Sequence, residues 1–335
     1  MKKIINTPDR FVDEMIEGIL LAHPDEVMTP GDDPRVLVRA DAPVEGKVGI
    51  VTGGGSGHLP LFKGYVGRGL CSGVAIGNVF SSPSVQQISE AAKAVDGGRG
   101  VLFLYGNYGG DVFNFDLACD MLELEDIETR TVLGRDDVAS QPKERALDRR
   151  GVAGIFFAYK AAGAAAERGD GLDEVAAVAE KVVDRTATMG VGLSPTILPT
   201  TGAASFDLPD GEMEIGIGIH GEPGIHRGKL RTADEIADTI LDAIIADLDL
   251  DEGDRVAVLV NGLGATPLEE LYVLYRRVHQ RLSGSGIRIE RKYVGEYATS
   301  LEMAGASISL LKLDDELVEL LDAPARSPFF EEVGR

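Results

Sequence analysis

The sequence predicts an α/β protein built as two α/β units, each a sheet flanked by helices, with mostly parallel strands in the first. Three observations predict it. From Val36 to about Met189, short apolar runs alternate with amphipathic ones, the signature of strands and helices taking turns in a substantially parallel sheet. The stretch Gly190 to Asp210 is rich in Gly, Pro, Ser and Thr and has no periodicity, which marks a boundary. Beyond it, strand, glycine loop and helix resume. The expected units are therefore 1–190 and 191–335, with the last strand and helix free to pack back on the first unit.

In chain order, Lys47 to Thr52, Gly73 to Ile76, Gly100 to Tyr105 and Glu128 to Leu133 read as strands, because each is a short run of β-branched and aromatic residues bounded by glycine or charge. Helices are expected over Ser84 to Ala94, Asp111 to Glu123, Gly154 to Arg168 and Leu172 to Met189. The last two are alanine-rich and good intrinsic helix formers. In the second unit, Glu212 to Ile219, Arg255 to Asn261, Ile287 to Tyr293 and Ser307 to Leu313 read as strands. Thr232 to Ala246 and Leu268 to Leu282 read as helices.

Composition narrows the function. The 335 residues carry a formal charge of -22, so a phosphate backbone or an anionic membrane finds no basic face, and neither nucleic acid nor membrane is an expected partner. Such acidity favours solubility in a salty cytoplasm. No apolar run is long enough to span a bilayer, and Asp9 interrupts the N-terminus before a signal-peptide core can form, so the expected location is the cytoplasm. Cys71 and Cys119 stand in no metal-ligand spacing and read as reduced thiols.

Chemistry concentrates in three glycine-punctuated strand ends. Gly53-Gly54-Gly55-Ser56-Gly57-His58 follows the first strand of the parallel series. It lacks the Lys-Ser/Thr that ends a phosphate loop, and no GxGxxG with a downstream acid fits. Its glycines suit either close backbone approach to a small polar substrate or tight turn packing. Gly106-Asn107-Tyr108-Gly109-Gly110-Asp111 opens a helix, where Asp111 either caps the helix or binds substrate hydroxyls or an imidazole. Gly216-Ile217-Gly218-Ile219-His220-Gly221-Glu222-Pro223-Gly224 presents one of only five histidines in a stiff loop. A neutral imidazole adds to a ketone carbonyl to give a hemiaminal without needing a deprotonated lysine. His58, Asp111 and His220 are expected to converge on one crevice at the carboxyl ends of the strands. His23, His226 and His279 lack that context.

These segments, with Asn114-Phe115 and Thr299-Ser300-Leu301-Glu302-Met303-Ala304-Gly305, resemble the dihydroxyacetone kinase family, specifically its substrate-binding K subunit, over nearly the whole chain. The resemblance implies a homodimeric two-domain subunit that binds a short ketose covalently through His220. It implies that His58 acts as acid and base, that Asp111 holds and activates a hydroxyl, and that Gly55, Ser56, Gly57 and Gly106 help to line the substrate pocket. It also implies that this chain binds no cofactor or metal. ATP or ADP with Mg2+ belongs to a separate L subunit, which is either ATP-loaded or recharged by a phosphotransferase-system M subunit.

Three positions depart from the family pattern: Leu59 stands where glutamate is common, Gly106 where lysine is common, and Gly109 where threonine is usual. Losing a long cation and gaining glycine is expected to widen the pocket rim, which suggests a four-carbon ketose such as erythrulose. A non-catalytic module that captures a ketose and signals through a partner, or a free-standing nucleotide-binding protein, would share the glycine loops.

Overall fold

The computed structural model of the chain describes residues 2–334. Two six-stranded sheets carry it. In the first, β1 (Val27–Met28), β2 (Val36–Arg39), β3 (Gly49–Ser56), β4 (Gly73–Val79), β5 (Val101–Gly106) and β6 (Thr129–Gly134) lie in the order β1-β2-β4-β3-β5-β6. The series β4-β3-β5-β6 is parallel, as expected, and β1 and β2 add antiparallel at one edge.

The second sheet runs β11-β10-β12-β7-β8-β9. Its strands are β7 (Thr186–Ser194), β8 (Glu212–Ile215), β9 (His226–Lys229), β10 (Arg255–Gly262), β11 (Arg288–Gly295) and β12 (Ala304–Lys312). Only β10 and β11 pair parallel there.

The helices are α1 (Phe11–Ala22), α2 (Val85–Val95), α3 (Gly109–Glu123), α4 (Ile155–Arg168), α5 (Leu172–Asp184), α6 (Ala233–Asp247), α7 (Leu268–Gly284) and α8 (Asp315–Asp322). Strand residues alternate between faces, and both faces of the central strands are apolar. Val51, Phe103 and Tyr105 pack under α2 and α3, whereas Ile50, Leu102 and Leu104 face the opposite way. On the second sheet, Val256, Val258 and Val260 lie with α6 and α7, while Ala257 and Leu259 join the same central core as Ile50. Between the sheets runs α4, with 12 of its 14 residues buried. Its small side chains let it fit there: a Cβ at Gly163 would come within 2.4 Å of the Gly69 backbone. Helix α8 packs on α4 from the C-terminal end of the chain.

Two elements differ from the sequence reading. The helix expected over Leu172 to Met189 stops at Asp184, and Thr186–Ser194 is instead β7, an interior strand between β12 and β8. Pairing on both sides outweighs the helical propensity of Ala187 and Met189, and the β-branched Thr186, Thr188 and Val191 suit a strand. The 190/191 boundary consequently falls inside β7. The strand expected to reach Ile219 ends at Ile215, because Gly216 turns to φ 80°. Among the described residues, no helix is long and apolar enough to cross a membrane.

Candidate active site

At the end of β3 the chain turns through Gly57, whose φ of 109° favours glycine and whose added Cβ would meet the Phe80 ring at 2.7 Å. The turn delivers His58 into the interior, 1% exposed. Its Nδ1 lies 2.8 Å from the Thr299 carbonyl oxygen. A carbonyl only accepts, so Nδ1 carries the proton and Nε2 keeps its lone pair, a tautomer assigned from the hydrogen-bond network. That Nε2 is buried and has no protein partner. Burial, then the charge that His220 can carry, push the His58 imidazole well below its ordinary value, with the Thr299 carbonyl working the other way. His58 is held neutral.

The Thr299 carbonyl is itself held in place. Leu301 N–H donates to Gly57 O at 2.7 Å, and Thr299 Oγ1 donates to Leu59 O at 2.9 Å. Behind this loop, Asn261 on β10 satisfies every valence of its amide. Oδ1 accepts from the Tyr297 and Ala298 N–H groups, and Nδ2 donates to Ala298 O and Ser307 Oγ.

His220 comes from the second sheet. Gly216 and Gly221, at φ 80° and 90°, bend the segment after β8 back on itself, and Gly221 N–H donates to Gly218 O at 3.0 Å. Glu222 clamps the histidine twice: Oε1 accepts from ring Nδ1 and Oε2 from the His220 main-chain N–H, both at 2.9 Å. Burial would raise the Glu222 carboxyl, but the His220 ring and main-chain donors hold it at about 2. A permanent carboxylate on Nδ1 leaves Nε2 as the nucleophilic nitrogen. The two imidazoles meet edge to face, centroids 4.8 Å apart, with Phe80 stacked on His58 and Tyr108 standing edge-on to His220 at 4.9 Å.

Asp111 lies in the first turn of α3, 7% exposed, and its Oδ1 has no partner. It does not cap the helix; the N-cap position is Tyr108, with no side-chain cap bond. Burial pushes its carboxyl up to about 6, against the pull of the Ser82 hydroxyl and of His220. Because the folded value is raised, the native state holds an extra proton between the ordinary value of 3.8 and about 6. The group's contribution to stability is therefore lost as pH rises through that window. Asp111→Asn is expected to gain about 2 kcal/mol in urea unfolding at pH 7. The gain should vanish near pH 4; an equal gain at both pH values would contradict the assignment.

The three glycine-punctuated ends come together, the His58 and His220 rings in contact and Asp111 close enough to His220 to feel its charge. The remaining expected residues serve this cluster less directly. Ser56 Oγ is committed to Gly77 O at 2.9 Å, and a Cβ at Gly55 would meet Ser81 N at 2.7 Å, so these two show the tight packing of the turn. Gly106 ends β5, and a Cβ there would touch the Tyr108 ring at 3.2 Å. Leu59 does not line the crevice: it packs on the central core and faces a groove formed with Phe11, Met15 and Leu301. At Gly109 a Cβ would meet nothing within 4 Å. Sequence reasoning missed Glu222, Phe80, Tyr108 and Thr299 as site residues. A carboxylate two residues after the histidine in a glycine turn was a usable signal for Glu222; nothing local links Thr299 to His58.

Paired imidazoles, one with a buried unpartnered Nε2 and the other held at Nδ1 by a carboxylate, lie beside a buried carboxyl in this α/β protein. The chain belongs to the Dak1 family, whose domain model matches residues 17–329. It is 45% identical over 331 residues, 99% of each chain, to the dihydroxyacetone-binding subunit of PTS-dependent dihydroxyacetone kinase 2 of Listeria innocua. It is 42% identical to L-erythrulose 1-kinase of Mycolicibacterium smegmatis, covering 98% of this chain and 58% of that protein. The crystal structure of the dihydroxyacetone kinase of C. freundii superposes with a TM-score of 0.90 at 30% identity, over 99% of this chain and 60% of that one.

Proposed function

We propose that this chain is the substrate-binding subunit of a dihydroxyacetone-type ketose kinase, holding the ketose as a hemiaminal on His220. The observation that carries the reading is the Glu222 clamp, which leaves His220 Nε2 free beside the unpartnered Nε2 of His58. Nε2 of His220 adds to the ketone carbon, and this selects ketoses by bonding type: glycerol has the same carbon skeleton and no carbonyl. His58 takes the proton of a terminal hydroxyl as it attacks phosphorus, and Asp111 holds a hydroxyl of the ketose in place. Covalent capture fixes the hydroxyl for in-line transfer, so what this chain supplies is position and a base. The nucleotide and its Mg2+ reside on a separate L subunit, charged from ATP or by a phosphotransferase-system partner. The chain works as a homodimer in the cytoplasm.

The expectation of a longer ketose weakens against the geometry. Of the three departures, Leu59 lies outside the crevice and Gly106 is covered by the Tyr108 ring, so only Gly109 offers added room. With the L partner supplied, kcat/KM for dihydroxyacetone is expected to exceed that for either erythrulose enantiomer by about tenfold or more. Equal or better use of an erythrulose enantiomer would make the chain a four-carbon ketose kinase subunit, as its erythrulose-kinase relative suggests. Adduct formation without any phosphoryl transfer would make it a ketose sensor.

A further inference from the structure

Glu222 is not the end of the contacts behind His220. Arg150 Nη1 stands 3.9 Å from Glu222 Oε2, close enough for charge to act but too far for a hydrogen bond. The guanidinium spends its hydrogen bonds elsewhere. Nη2 and Nε lie 2.8 and 3.0 Å from Asp137 Oδ2, and Nη2 reaches Gly216 O at 3.5 Å. The Asp137 side chain is 2% exposed and also accepts from Ala139 N–H. The four groups come from three separate segments: the loop after β6, the approach to α4, and the turn after β8. The second glycine of the histidine loop makes their meeting possible. A Cβ on Gly218 would lie 2.2 Å from Glu222 Oε2 and 2.5 Å from Arg150 Nη1.

We propose that Arg150 and Asp137 are positioning residues that set how readily His220 captures the ketose, acting through Glu222. The inference rests on the hemiaminal reading above. When the Nε2 lone pair forms the C–N bond, the carbonyl π pair moves to oxygen, which takes up one net proton from the buffered medium. The ring, still protonated at Nδ1, becomes a cation. Glu222 stabilises that cation, and it stabilises equally the protonated, non-nucleophilic ring of the free enzyme. Arg150 weakens both effects by drawing on the Glu222 charge and by repelling the ring. Asp137 moderates Arg150. The result is a graded counter-charge: enough carboxylate to hold the adduct, not so much that the attacking lone pair is withheld from the ketone.

The other titratable or charged groups facing His220 are His58, Asp111 and Tyr108, with Asp136 behind Arg150 and Lys63 acting on His58. All of them stay in place in the variants below, so differences between variants report the Asp137–Arg150–Glu222 chain.

The test follows the initial rate at which intact protein gains the dihydroxyacetone adduct, by mass spectrometry, against pH, because only the ring with a free Nε2 lone pair attacks. Arg150→Gln is expected to move the acid limb of that profile up by about half a pH unit or more, because Glu222 then favours the protonated ring unopposed. Asp137→Asn, which frees Arg150 from its counter-ion, is expected to move the limb down by a similar amount. Arg150→Lys should restore the wild-type limb. Shifts of the same sign in Arg150→Gln and Asp137→Asn, or no shift in either, overturn the inference while the wild-type adduct stands. Should Arg150→Gln fail to fold, the sign of the Asp137→Asn shift alone decides. A wild-type chain that forms no adduct overturns the hemiaminal reading itself, and this inference with it.

Discussion

His220→Ala is expected to abolish the dihydroxyacetone adduct and to lower phosphorylation by about 10³-fold or more, because the ketose loses its covalent anchor and the alignment that comes with it. His58→Ala is expected to separate capture from chemistry. The adduct mass persists, since His220 and its Glu222 clamp are untouched, while kcat falls by about 10² to 10⁴-fold for want of the base. Intact-protein mass spectrometry reads the first property, and steady-state kinetics with the L partner reads the second. Full turnover in His58→Ala would remove the base assignment, and an adduct surviving in His220→Ala would remove the nucleophile.

Asn261→Leu is expected to be the most damaging single change away from the reacting groups. The fully buried amide answers two main-chain N–H groups and one carbonyl of the 297–298 turn, and an isobutyl group answers none. Two buried donors left unpaired, with loss of the remaining bonds, cost about 3 to 5 kcal/mol, read as a fall of about 5 °C in Tm. The damage should also reach catalysis. The turn carries Thr299, whose carbonyl fixes the His58 tautomer, so kcat should drop about tenfold in protein that remains folded. An unchanged Tm would show that the turn holds itself without Asn261.

Much of this was legible along the chain because the informative signals are local. Short apolar strands followed by glycine and then a helix mark the parallel series β3 to β6, and the same glycines mark where the chain must turn to present His58, Asp111 and His220. What escaped local reading was set by partners far away. Thr186 to Met189 reads as the tail of an alanine-rich helix, and Gly190 onward as a boundary, until β12 and β8 are placed beside them. His58 and Thr299 lie 241 residues apart, and no pattern in either segment announces that one fixes the proton of the other. Leu59, adjacent to a site histidine, looks like a pocket residue, yet its side chain points away into the core beside α1. Adjacency in sequence guarantees little about direction once the backbone turns through Gly57.

Helix α4 carries a last consequence. A helix buried on nearly all sides is a common wall, shared by the packing of both sheets. On the function proposed above, a subunit that tethers its substrate and takes the phosphoryl group from a partner leaves part of the exclusion of water to the surface that docks on it, and cannot complete the reaction alone.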